Sequence, residues 1–254
     1  MKNLSPVTQQ IVQQVEDVSG CPVAFEPDGG LAVQASLQMA RNGAKTHVLR
    51  YRPNNLPLDY WVAYQCGFAL RFFNLPPDQR FDLVSTGEGI DQVRSMLTTG
   101  LALDEADMLR VEPFSAQVQQ WAMLNLRSYP VGMRIDQWIH DEFPELRAMQ
   151  RQGLNQVQQE NLNLMSMTIG KLSIPVPLLA PVAAYALFAD QLLGDTTFAV
   201  PWRGAGAISG GTELLDIWRR LPTGNEHDRD LIDAWATAMG IAHWFGWRQY
   251  TMQA

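Results

Sequence analysis

Cysteine is scarce in this chain, with Cys21 and Cys66 the two examples among 254 residues. Two thiols make no disulfide framework. We read both as buried and free, which suits a reducing compartment. Charge is sparse too. Asp, Glu, Lys and Arg make up 18% of the residues against 46% apolar, so a disordered chain is not expected. The charge that exists leans acidic, with a net value of −7 and a pI near 5.1, and no basic run is present. A nucleic-acid binder needs cations along one face to neutralise phosphates, so direct DNA or RNA binding is not expected. The N-terminal residues show neither an apolar core nor a small-residue cleavage site, so no secretory signal is expected. The longest apolar stretch, 174–193, carries Pro175, Pro177, Pro181 and Asp190. It is barely long enough to span a bilayer and reads as an extended lead-in followed by a buried helix. A cytoplasmic protein without a membrane span is the resulting expectation.

The usual catalytic signatures are missing as well. The histidines His47, His140, His227 and His243 include no pair three or four residues apart. His140, Asp141 and Glu142 with Glu145 form the densest ligand-type cluster, but consecutive helical residues point to different faces. A solvated helix end is the reading for that cluster. Cys66 lies among apolar residues that raise a thiol's pKa and make it inert. No G-x-S-x-G elbow occurs. The glycine-rich 203–211 segment matches neither the phosphate loop nor the dinucleotide fingerprint, and reads as a flexible connection.

What is present points to one α+β domain over 1–254. Residues 1–75 form a sheet-and-helix part, and 76–254 a helical part. Val7, Ile11, Val12 and Val15 have helical spacing over 6–18, and Gly20 closes that helix. Three short strands are expected at 22–26, 31–39 and 46–51, separated by the turns Pro27-Asp28-Gly29-Gly30 and Arg41-Asn42-Gly43. A helix over 58–73 follows, apolar or aromatic on nearly every side, which marks a central buried helix. Pro76 and Pro77 prevent its continuation. Beyond it, helices are expected over 89–97, 104–109, 115–127, 134–142, 145–164, 178–193, 212–221 and 228–250. Thr212 is the expected N-cap of the seventh, and Trp235, Trp244 and Trp247 lie in the last. The eight tryptophans are expected as buried anchors, with Trp244 and Trp247 also candidates for partner binding.

The stretch Val62-Ala63-Tyr64-Gln65-Cys66-Gly67-Phe68-Ala69-Leu70 resembles the active-site helix of zinc metallopeptidases, often written A-H-E-L-G-H-A-L. In His-Glu-x-x-His the two histidines share one helix face and bind zinc, and the glutamate serves as general base on zinc-bound water. Here Tyr64 and Phe68 stand at the ligand positions and Gln65 at the general-base position. Phenylalanine has no lone pair to give, and an amide accepts no proton at neutral pH. The order strand, glycine-containing turn, strand and ligand helix is similar to that of compact zinc peptidases. A second block, Tyr185-Ala186-Leu187-Phe188-Ala189-Asp190-Gln191-Leu192-Leu193, resembles the ImmA/IrrE-type pattern E-A-N-x-F-A-x-E-L-L. The resemblance implies the third zinc ligand at Ala184 in one register, or at Ala186 in the register of the pattern E-x-x-A-D. More than a hundred residues separate the blocks, where ImmA/IrrE-type proteins use about thirty.

The resemblance implies a degenerate zincin: no metal, no cofactor, no peptidase catalysis, and a role in binding a protein partner. His47 on the third strand is a further candidate contact for that partner, beside a structural reading of the same residue. Two other expectations stand beside this one. One is a hydrolase with an unrecognised site using Glu142, Glu145 or Asp190. The other is a membrane-peripheral factor using the 174–193 stretch.

Overall fold

The computed structural model describes residues 4–53, 57–165 and 168–251. The elements run α1 (Pro6–Ser19), β1 (Val23–Pro27), β2 (Ala35–Gln38), β3 (His47–Tyr51), α2 (Leu58–Phe73), β4 (Phe81–Ser85), α3 (Gly89–Thr98) and α4 (Glu105–Glu142). There follow α5 (Arg147–Met165), β5 (Thr168–Ile169), β6 (Leu172–Ser173), α6 (Ala180–Leu193), α7 (Val200–Gly204), α8 (Ile208–Arg220), α9 (Asp228–Ala238) and β7 (Phe245–Gln249). The fold is α+β and mostly helical, with a small three-stranded sheet near the N-terminus and two-stranded ladders of β4 with β7 and β5 with β6.

Local chemistry sets the first helix. Ser5 caps α1 by accepting a hydrogen bond from the Thr8 N–H at 3.3 Å, and Pro6 supplies a pre-set φ at its start. Gly20, at φ 71°, adopts the left-handed conformation that ends it.

Two compact units make up the chain. The first holds Met1–Asp82, Arg134–Asn155 and Arg248–Ala254, and the second Leu83–Met133 and Gln156–Trp247. Residues 76–254 are thus distributed over both. In the first unit the sheet order is β1-β3-β2, with central β3 parallel to β1 and antiparallel to β2. Helices α1 and α2 pack on each other, and α2 also lies against β2 and β3. Ile11, Val15, Leu49, Val62 and Ala69 fill the space between these layers. In the second unit α6 packs along α8, and α8 against α9.

The structure departs from the sequence reading in several places. The part expected to be helical, 76–254, also holds the strands β4, β5, β6 and β7, and the strand expected over 31–39 is confined to Ala35–Gln38. The helices expected over 104–109, 115–127 and 134–142 are one helix, α4, which runs through both Pro113 and Pro130. The glycine-rich segment is no flexible connection: α7 covers its start, and α8 begins at Ile208. Thr212 is therefore no N-cap but an interior residue, whose Oγ1 donates back to Ile208 O at 2.9 Å. Gly210 and Gly211 sit inside α8 because it crosses α6 there; a Cβ on Gly211 would lie 2.7 Å from Ala183 Cβ and 2.9 Å from the Ala184 nitrogen. Finally, the helix expected over 228–250 ends at Ala238. Gly240, at φ 69°, turns left-handed, with its N–H donating to Thr237 O and the Ile241 N–H to Ala236 O. This Schellman ending releases the chain into a short turn and then β7, so Trp244 and Trp247 are not helical in α9.

Both cysteines are free and buried. Among the described residues, one stretch, Val176–Leu193, is long and apolar enough to cross a membrane by length and composition, and most of it is buried in the structure.

Candidate functional site

The stretch that resembles a zinc helix occupies the middle of α2. Asp59 in the first turn and Arg71 in the last suit the helix dipole. Asp59 Oδ1 also accepts a hydrogen bond from the Ser5 N–H at 2.6 Å, tying the start of α2 to the start of α1. Tyr60, Trp61, Val62, Ala63, Tyr64, Cys66, Gly67, Ala69 and Phe73 are all buried, so this is a central helix enclosed on most sides. Gly67 exists at the crossing with α4: a Cβ there would lie 2.5 Å from Ile135 Cγ2.

Rings occupy the two ligand positions. Tyr64 and Phe68 meet edge to face, with centroids 5.3 Å apart. Tyr64 also stands edge-on to Trp61 at 6.1 Å and tilted to Tyr60 at 5.9 Å. These are the separations at which aromatic pairs attract. The helix-face spacing that brings two imidazoles to one zinc here brings two rings to each other.

Gln65 does something different. The Arg52 N–H donates to Gln34 O at 3.1 Å across the β2–β3 ladder. Pairing direction alternates along an antiparallel strand, so Ala35 and Leu37 turn their backbone groups away from β3, along the free edge of the sheet. The Gln65 amide fills that edge. Its Nε2 donates to Ala35 O at 3.0 Å, and its Oε1 accepts from the Leu37 N–H at 3.2 Å. One side chain thus makes the pair of contacts that a neighbouring strand makes.

The opposite edge is treated in the same way. The His47 N–H donates to Pro22 O at 2.9 Å and the Asp28 N–H to Tyr51 O at 2.8 Å, so alternate residues of β1 face β3 and Val23 faces outward. The Val23 N–H donates to Glu16 Oε1 at 2.7 Å. Each edge of this sheet has backbone groups taken up by a side chain from a flanking helix, which blunts pairing with another chain.

His47, a candidate contact in the sequence reading, is fully buried. Its Nδ1 accepts from the Ala40 N–H at 2.9 Å, which assigns the ring proton to Nε2, 2.9 Å from Ser19 Oγ. Burial pushes its pKa below the ordinary 6.5, opposed by the weaker pull of Glu16. It serves as a neutral link between α1 and the sheet. Trp244 is also fully buried, laid over Gly89, with Nε1 donating to Gln92 Oε1 at 2.7 Å. Trp247 is half-buried; its Nε1 donates to Asp233 Oδ1 at 2.9 Å and Arg229 stacks 5.3 Å from its ring.

Ala184 and Ala186 belong to α6 in the second unit, and both are buried. Tyr64, Gln65 and Phe68 belong to the first. The α8 backbone at Gly211 comes up against α6 here: a Cβ on Gly211 would lie 2.7 Å from Ala183 Cβ and 2.9 Å from the Ala184 nitrogen.

Among the carboxylates read as alternative acids, Asp190 accepts the Phe198 N–H at 2.9 Å and the Ala199 N–H at 3.1 Å, one on each oxygen. It caps the turn leading into α7. Glu142 and Glu145 are exposed at the end of α4 and just after it. Burial pushes the Cys66 thiol up to about 12, with Glu16 adding to the rise, so it stays protonated and unreactive. Among the described residues, no three His, Cys, Asp or Glu side chains gather as a metal-binding group.

Sequence reasoning did not find the polar cluster one turn before Tyr64. Tyr60 Oη donates to Asp136 Oδ1 at 2.9 Å, and Gln150 Nε2 donates to Asp136 O at 2.7 Å and to its Oδ1 at 3.0 Å. All three residues are buried. The cluster joins α2, the later part of α4 and the early part of α5. Its one signal in the sequence is an acidic residue between Ile135 and Ile139.

Comparison of the chain with protein-family models, with curated proteins and with solved structures gives no match.

Proposed function

We propose that this chain is a catalytically inactive relative of the zinc metallopeptidases that works in the cytoplasm by binding a protein partner. The observation that carries this reading is the Gln65 amide across Ala35 O and Leu37 N. A carboxylate at that position accepts from Leu37 but has no proton for Ala35 O. Glutamine satisfies both, so the residue at the general-base position matches a structural task and not a proton-transfer task. The packed rings of Tyr64 and Phe68 support the same reading, because neither brings an imidazole to the helix face. A protein without a reaction acts through what it binds, and the acidic charge balance favours protein over nucleic acid as that partner.

Metal analysis of the purified protein, together with peptidase assays and affinity capture under native conditions, tests the proposal. Substoichiometric zinc, no chelator-sensitive hydrolysis and one reproducible protein partner are expected. Stoichiometric zinc, lost together with peptide hydrolysis on chelation, overturns the reading.

A further inference from the structure

The first part of α4 shows an unusual outer face. Val111, Phe114, Val118 and Leu126 turn inward and are buried. The opposite side carries Leu109, 76% exposed, and Leu124, 49% exposed. Between them on the same side lie Pro113 and Gln120, both exposed, and half-buried Ala116. The steps from 109 through 113, 116, 120 and 124 are of three or four residues, which puts these positions in one stripe along a helix. From 105 to 127 this stripe runs about 33 Å at the usual helical rise.

The stripe is self-complementary. Leu109 and Leu124 share a midpoint beside Ala116, and Pro113 and Gln120 share the same midpoint. Two copies laid antiparallel about that point place Leu109 on Leu124 twice. Ala116 sits at the axis, small enough for close approach. Charge agrees with this register. Exposed Glu105 begins the stripe and exposed Arg127 ends it, so the antiparallel arrangement brings each glutamate beside the other copy's arginine. A parallel arrangement stacks like charges instead. Pro113 has no N–H for Leu109 O, and the Gln120 amide of the second copy faces that turn.

We propose that this face of α4 is a homodimer interface, two copies pairing antiparallel through Leu109, Ala116 and Leu124 with Glu105–Arg127 ion pairs at the ends. The inference is independent of the reading of the Tyr64 helix. A helix-pair interface of this length buries on the order of 1,000 Å² in total, at the low end for a stable complex, so a dissociation constant on the order of 10 µM is expected.

Sedimentation of the full chain from about 1 to about 200 µM brackets that affinity and reads the interface. The unaltered protein passes from monomer to dimer over this range. Leu109→Lys, which appears twice in each dimer, weakens association at least tenfold while leaving the helical circular dichroism unchanged. Arg127→Glu weakens it severalfold, and Glu105→Arg together with Arg127→Glu restores it. Restoration is the readout a merely destabilised helix does not give. A monomer at every concentration, a dimer indifferent to Leu109→Lys, or a charge swap that fails to restore pairing each overturns the proposal. So does a monomer whose Leu109-dependent binding is to phospholipid vesicles or to a different protein.

Discussion

The middle of α2 and the α6–α8 crossing are the two places where the zincin resemblance puts metal ligands, and the two are packed in physically different ways. Around α2 the space is filled by large groups: Tyr64 and Phe68 ring against ring, with the Gln65 amide bonded to a sheet edge. At the α6–α8 crossing little space remains at Gly211, whose backbone comes up against Ala183 and the Ala184 nitrogen. One site is plugged by side chains and the other is squeezed by main chain. Positions that look alike in the resemblance therefore stand in two different kinds of packing.

The largest expected effect tests the squeeze. Gly211→Ala drives a Cβ into the α6 backbone, and Gly67→Ala drives one into the methyl of Ile135. A backbone yields less than a side chain. Urea unfolding should show Gly211→Ala losing about 3 kcal/mol and Gly67→Ala about 1 kcal/mol, the latter softened by the better helix propensity of alanine. Equal losses would erase the distinction between the two regions.

Next in size is Tyr60→Phe, which removes a donor from the buried Asp136 carboxylate while keeping the ring. A loss of about 2 kcal/mol is expected from removing one hydrogen bond to a buried carboxylate whose Oδ1 keeps the Gln150 donor. An unchanged unfolding midpoint would show that the polar cluster does not hold α2 in place.

Smaller still is Gln65→Ala, at about 1 kcal/mol, because the uncovered edge groups can reach water. The sharper readout is local: the Leu37 amide should exchange with solvent faster, and amides on the β3-facing side of the strand should not. Gln65→Glu should weaken the edge further at neutral pH, since a carboxylate faces the Ala35 carbonyl. Stabilisation by Gln65→Glu would remove the structural case for the amide.

The last effect is a pH dependence. His47 is held neutral and its folded pKa is depressed below 6.5 by burial. Its contribution to stability is full above 6.5 and is lost as pH falls below that value toward the folded pKa, because the unfolded chain takes up the proton first. His47→Gln should flatten the acid limb of stability against pH. A slope unchanged by the substitution would locate the titration elsewhere.

Much of the first unit is legible in local sequence. Pro57, Asp59 and the Pro76-Pro77 pair punctuate α2, and the expected and observed spans of that helix agree at Leu58–Phe73. The three strands announce themselves by turns and alternation. The errors are of two kinds. Gly240 is a local signal for the end of α9 that an expected helix over 228–250 runs past. The fate of Gln65, His47 and Gly211 had no local signal. Their partners lie 28 residues away for Gln65 and Leu37, and 28 for His47 and Ser19, and no spacing rule names them. Pro113 and Pro130 each remove one helical donor, yet α4 continues through both.

Tyr250 is buried against Phe72 and Phe73, its hydroxyl bonded to Ala40 O and its N–H to Arg80 O. It belongs to the same unit as α1 and the sheet, yet the whole of the second unit is synthesised in between. During translation the strands and α2 therefore emerge early and wait, with the Phe72–Phe73 surface uncovered, until Tyr250 leaves the ribosome. A chain halted before Tyr250 lacks the ring that covers Phe72 and Phe73.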